Sequence, residues 1–78
     1  MDESYIVAEV LEEMARANKT YGNFKSLHDG LSILQEEVFE LQQEVYLKTR
    51  NPNKLYEESL QVAAMTVKMM LYVREHGS

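Results

Sequence analysis

Apolar residues recur every three or four positions along most of the chain, which is the spacing of helices that bury one face. This spacing predicts a first helix over residues 4–18 and a second over residues 27–48, separated by a turn that contains Gly22. The apolar stripe of the second helix consists of Leu27, Leu31, Leu34, Val38, Leu41 and Val45. At about 100° per residue, the stripe covers about a quarter of the helix circumference.

A third helix is predicted over residues 52–74, with Asn51 as its N-cap and Pro52 as its first residue. Its apolar residues form two faces: Leu60, Ala63, Ala64, Val67 and Leu71 on one, and Leu55, Val62, Met69 and Val73 on the other. A helix that is apolar on two sides is usually buried on two sides, and two other helices cannot surround it. We therefore predict an all-α, three-helix protomer, with helices 2 and 3 as an antiparallel hairpin beside helix 1, that assembles into a bundle dimer or tetramer.

Length and composition agree with a small oligomer. The 78 residues allow one domain, spanning 1–78, and contain no cysteine to brace it. Domains this short bury little apolar surface alone, so self-association is a common remedy. The net charge of -5 argues against nucleic acid as a partner. No apolar run approaches the ~20 residues that span a bilayer, and the acidic start is unlike a secretory signal, so we expect no membrane association and a cytoplasmic location.

The second helix carries a group of glutamates on one face. Glu37, Glu40 and Glu44 stand three and four residues apart and point away from the centre of the apolar stripe. Like charges at this spacing weaken a helix by a few tenths of a kcal/mol per pair, and a bound divalent cation would reverse that effect. Carboxylate oxygens suit Mg²⁺. Glutamate runs are more often simply a solvated face, and for this helix alone that alternative stays open.

Polar residues on the mostly apolar third helix strengthen the metal hypothesis. Glu58 and Gln61 stand three apart, and Lys54 and Lys68 lie on the same side. In an antiparallel hairpin, the Glu37/Glu40 level is ~17 Å from the turn and the Glu58/Gln61 level is ~11 Å from it, at ~1.5 Å per residue. Long side chains can cover the difference, so the four positions can share one site. A ferritin-like di-iron site is disfavoured, because neither helix has Glu-x-x-His.

Two segments resemble a known family. The first contains Phe24, Ser26, His28, Asp29 and Gly30, followed by Glu36-Glu37-Val38-Phe39-Glu40-Leu41. The second is Glu57-Glu58-Ser59-Leu60-Gln61-Val62-Ala63-Ala64-Met65. Together they resemble the MazG-like branch of the all-α nucleoside triphosphate pyrophosphatases. The family signature is EExxE followed by ExxD. EExxE is complete here, but Gln61 stands where the family usually has Asp.

The resemblance implies Mg²⁺-dependent hydrolysis of a nucleoside triphosphate to the monophosphate and pyrophosphate by a helical dimer or tetramer, with Mn²⁺ as a possible substitute. By position, it assigns the metal ligands as Glu37, Glu40, Glu58 and Gln61. The catalytic candidates are Glu37 and Glu36, the latter as a further ligand or as the group that orients the attacking water. The candidate substrate contacts are Lys54 and Lys68 for phosphate and His28 for base or phosphate; an exposed helix start is the alternative for His28.

Gln61 leaves a second function open. A neutral amide can offer a carbonyl oxygen to Mg²⁺, but the site then has one negative charge fewer and should bind metal more weakly. Gln61 could instead hydrogen-bond a neighbouring glutamate. The alternative function is a non-catalytic helical module for oligomerisation or regulation that keeps the fold and binds metal or nucleotide. A DNA-binding role is poorly supported, because no helix is basic.

Overall fold

The computed structural model describes residues 2–77 and contains, within them, three helices and no strand. The helices are α1 (Glu3–Tyr21), α2 (Leu27–Val45) and α3 (Pro52–His76). The all-α prediction is therefore confirmed. α2 and α3 pack closely and run in opposite directions, because Gly30 lies beside Met69 near one end and Glu40 lies beside Glu58 nearer the other.

Polar side chains cap the start of each helix. The Asp2 carboxylate accepts a hydrogen bond from the Ser4 amide at 2.9 Å, and the Ser26 hydroxyl accepts one from the Asp29 amide at 3.0 Å. Asn51 caps α3 in the same way, directly before Pro52. Such caps satisfy amide groups that have no partner within the helix. The predicted starts of α2 and α3 are confirmed.

The helix ends differ from prediction by a few residues. α1 continues to Tyr21 and ends at Gly22, whose φ of 75° is readily adopted only by glycine. α2 ends at Val45 rather than at residue 48, and the Arg50 guanidinium donates to the exposed Val45 carbonyl at 2.7 Å. α3 continues to His76 before Gly77. Helix ends depend on local capping bonds such as that of Arg50, which periodicity does not reveal.

α3 is the central helix. α1 and α2 both pack on it but not on each other within residues 2–77, so a groove opens between them with α3 as its floor. The buried apolar residues are Ala17, Phe24, Ala64 and Met65. Gly30 lets α2 approach closely, because a Cβ atom there would lie 2.7 Å from the Phe24 ring. The small core is therefore centred on α3, which packs against α1, against Phe24 of the α1–α2 turn and against the start of α2.

The orientation of α2 corrects one part of the sequence interpretation. Leu34 of the predicted stripe packs on the core, but Leu31 and Val38 are 45% and 44% exposed. α2 turns Gly30 and Ile33 toward the core instead, and Glu37 is partly buried. Only half of the apolar stripe is therefore at least partly buried within one chain. Its exposure agrees with the expected association of copies, which stays a prediction.

Within residues 2–77, no helix is both long enough and apolar enough to cross a membrane.

Candidate metal centre

Three carboxylates from two helices meet beside the groove. Glu37 and Glu40 of α2 and Glu58 of α3 each offer an oxygen, and these oxygens all lie within 4.8 Å of one another. Their three-residue spacing puts Glu37 and Glu40 on one face of α2, and the antiparallel hairpin brings Glu58 to their level. The expected convergence of side chains from α2 and α3 is confirmed.

Some carboxylate oxygens of the cluster accept no hydrogen bond. Glu58 is only 4% exposed, and its Oε1 atom lies 3.0 Å from Lys54 Nζ. The Oε2 atoms of Glu58 and Glu37 are buried without a hydrogen-bond partner in the described chain. An unsatisfied buried acceptor costs about 1–3 kcal/mol. Oxygen atoms that are both buried and unpaired fit the ligand preference of a hard divalent cation.

The crowding of these carboxylates raises the pKa of two of them. Burial, followed by the neighbouring charges of Glu40 and Glu58, raises the pKa of Glu37. The pKa of Glu40 is also raised, by loss of hydration and then by Glu58, although much of the Glu40 residue remains exposed. The bond to Glu58 raises the pKa of Lys54, which therefore stays charged at the edge of the cluster. Negative charge is in excess here, so a cation would stabilise the folded chain.

The groove between α1 and α2 has a volume of about 430 Å³. α2 contributes Glu36, Glu37 and Glu40, and α3 contributes Gln61 and Met65. α1 contributes Glu13, Arg16, Ala17, Thr20 and Tyr21. The space is within the usual range of about 300–1,000 Å³ for small-molecule sites. The carboxylate cluster therefore adjoins a cleft of ligand size.

Sequence reasoning missed the contribution of α1. Glu13 is buried, lines the groove and holds Arg16 through a 2.8 Å ion pair. A signal did exist, because Glu13 lies at the edge of the apolar face formed by Val10, Met14 and Ala17. A charged residue beside a buried helical face is an informative exception.

The structure separates the predicted site residues into two groups. Glu36 and Gln61 line the groove beside the cluster, and Lys54 touches the cluster through Glu58. Lys68 does not join them, because its Nζ atom donates to the Gly22 carbonyl at 2.6 Å. His28 is exposed on the first turn of α2 and is outside the groove lining. Any part played by His28 in binding a substrate stays a prediction.

Removing one charge from the cluster should stabilise the metal-free protein at neutral pH. The pKa of Glu37 is higher in the folded chain than in the unfolded chain, where glutamate has a pKa of about 4.3. Its ionisation therefore destabilises the fold as the pH rises, whereas protonation removes that cost. We expect Glu37→Gln to gain roughly 0.5–1 kcal/mol at pH 7 in chelator, and the gain to vanish near pH 4.

Thermal unfolding at several pH values measures this effect. Glu12→Gln, which changes an exposed glutamate on α1, is the matched control and should change stability little at either pH. If Glu37→Gln were less stable than the parent at pH 7, the Glu37 carboxylate would have a stabilising partner, contrary to the proposed crowding.

No family model, curated protein or solved structure matches this chain. The MazG-like resemblance therefore rests on the motif residues of this chain alone.

Proposed function

We propose that this protein is a Mg²⁺-dependent hydrolase that converts a nucleoside triphosphate to the monophosphate and pyrophosphate. The observation that supports this most directly is the meeting of Glu37, Glu40 and Glu58, of which Glu37 and Glu40 also line a groove of ligand size. Unpaired buried oxygens on Glu37 and Glu58 favour a cation over a solvated acidic face.

The metal ligands would be Glu37, Glu40 and Glu58, with the Gln61 amide oxygen as a neutral fourth candidate. When bound, Mg²⁺ would offset the charge of the triphosphate and lower the pKa of a water molecule. Mn²⁺ accepts the same oxygen ligands and should substitute for it. The acidic groove by itself would repel a triphosphate, so we expect substrate binding to require the cation.

Side chains of the groove can supply the remaining parts of the reaction. Hydrolysis forms a bond from a water oxygen to phosphorus, breaks the α–β phosphoanhydride bond and releases a proton. Glu36 lines the groove beside the cluster and is the candidate to orient that water or accept its proton. Lys54, on the edge of the cluster, can counter negative charge on the departing pyrophosphate.

Self-association is part of the proposal. Leu31, Val38 and Phe39 leave apolar surface of α2 exposed, and Tyr5, Val7 and Leu11 do the same on α1. A chain of 78 residues buries a small fraction of its apolar surface alone, so covering this surface with a second copy would stabilise it. We expect a dimer or tetramer.

Two observations favour the non-catalytic alternative. Gln61 lines the groove as a neutral amide, and Lys54 already gives Glu58 a positive partner without any metal. Such a site could hold a nucleotide or a weakly bound cation without turnover. A helical module that regulates or assembles other chains is therefore the second candidate function.

An assay of pyrophosphate release separates the two candidates. The full chain is incubated with a panel of NTPs and dNTPs in Mg²⁺, in Mn²⁺ and in chelator. We expect cation-dependent release from at least one nucleotide and none in chelator. Nucleotide binding without release from any member would remove the enzymatic proposal and support the helical module.

A further inference from the structure

A second pocket lies at the other end of α3, beside the turn between α1 and α2. Its volume is about 140 Å³, and its wall includes Asn18, Asn23, Phe24, Lys68, Tyr72 and His76. Lys68 is about 15 Å further along α3 than Glu58, at 1.5 Å per residue. The pocket is therefore separate from the carboxylate cluster.

The unusual feature of this pocket is a buried ammonium group. Lys68 is only 6% exposed, and lysine is almost never buried to this degree unless it is paired. Its Nζ atom donates to the Gly22 carbonyl at 2.6 Å and lies 4.5 Å from the centre of the Phe24 ring. An ammonium group carries three donors, so these contacts leave donor capacity toward the pocket.

No carboxylate in residues 2–77 neutralises this ammonium group. Within these residues, no carboxylate oxygen lies within 4.0 Å of Lys68 Nζ. The carboxylate whose charge acts on Lys68 is that of Asp29, and it accepts a hydrogen bond from the Lys25 amide at 2.9 Å. Burial accordingly lowers the pKa of Lys68, and Asp29 offsets this only in part.

We propose that this pocket binds a small oxyanion, a phosphate or a carboxylate, through Lys68 Nζ and the side-chain amides of Asn18 and Asn23. The anion supplies the missing counter-charge for a desolvated ammonium group, and charge-assisted hydrogen bonds of this kind are about twice as strong as neutral ones. The amide groups add neutral donors on the same wall.

The size and shape of the pocket limit the ligand. Its 140 Å³ is several times the ~30 Å³ occupied by a water molecule but well below the ~300 Å³ typical of sites for larger ligands. Phe24, Tyr72 and His76 form a continuous row of rings, with centroid separations of 6.4 Å and 4.4 Å. The acidic wall residue Glu75 is exposed and lies 4.0 Å from His76, so water screens its repulsion.

The proposal is tested on the full chain in chelator, without divalent cations. Inorganic phosphate and acetate are titrated in turn at constant ionic strength, with chloride as the compensating anion. The side-chain amide signals of Asn18 and Asn23 are followed by ¹H–¹⁵N NMR. We expect saturable shifts at these amides and a higher Tm with one or both anions, and the comparison shows whether phosphate or carboxylate is preferred.

Variants make the result specific. Lys68→Met should weaken anion binding at least tenfold, whereas Lys25→Met, at an exposed lysine outside the pocket, should leave it within twofold. If Lys68→Met does not fold, Asn23→Ala should still weaken binding severalfold. Shifts that do not exceed the chloride control, or that are unchanged in the variants, would overturn the proposal and leave Lys68 as a purely structural link to Gly22.

Discussion

Glu58→Gln should reduce Mg²⁺-dependent pyrophosphate release by about 100-fold. Glu58 is the member of the cluster that α3 provides, and it is more buried than Glu37 or Glu40. Glutamine keeps the size of the side chain but removes the negative charge that would hold the cation between α2 and α3. Loss of a charged ligand weakens metal binding, and weak metal binding lowers the rate at limiting Mg²⁺. Initial rates over a range of Mg²⁺ concentrations measure the effect.

The neighbouring residue provides a matched control. Glu57→Gln makes the same charge change one position away, but Glu57 is exposed and outside the cluster, so the rate should stay within about twofold of the parent. Mg²⁺ should also raise the Tm of the parent and of Glu57→Gln but not that of Glu58→Gln. Equal rates and equal Mg²⁺-dependent stabilisation in both variants would show that the carboxylates do not form the metal centre.

Phe24→Ala should destabilise the chain by about 3–5 kcal/mol, the usual cost of removing a buried phenylalanine ring. Phe24 is 7% exposed, and its ring lies where a Cβ atom at Gly30 would clash and 4.5 Å from the Lys68 ammonium group. Small domains have total stabilities near the low end of about 5–15 kcal/mol. We therefore expect a loss of more than about 10 °C in Tm, measured by circular dichroism.

The chain contains one other phenylalanine, and it serves as the control. Phe39 is 57% exposed on α2, so Phe39→Ala should change the stability of one chain by about 0.5 kcal/mol or less. If a second copy covers the Phe39 ring, Phe39→Ala should weaken self-association, and more of the variant should be monomeric at low protein concentration. Similar losses from both variants in monomeric protein would contradict the assignment of Phe24 to the core.

Helix content and helix starts were predictable because their causes are local. The 3.6-residue period of apolar side chains marks α1, α2 and α3, and the caps at Ser26 and Asn51 act on amides two or three residues away. Much of the candidate centre was also accessible. A three-residue spacing determines which glutamates share a face, and a short connection limits which levels of α2 and α3 can meet.

Tertiary packing decided the rotation of α2, which the apolar stripe did not reveal. The stripe marks the least polar side of the helix, but the close approach at Gly30 turns a neighbouring side toward α3. This rotation leaves Leu31 and Val38 exposed and carries Glu37 partly into the interior. Periodicity ranks the sides of a helix by polarity, whereas packing also depends on how closely two backbones can approach.

The amino-acid sequence by itself determined the three helices, the starts of α2 and α3 and the glutamates of α2 that share one face, since these follow from spacings of only a few residues. Only the tertiary structure placed Glu13 on the groove and separated Lys68 from the carboxylate cluster. Both positions depend on how distant segments pack. α1 lies across the groove from α2, and the Lys68 ammonium group donates a hydrogen bond to the Gly22 carbonyl. Spacing along one helix shows which of its residues share a face, but not which distant segment will pack on that face.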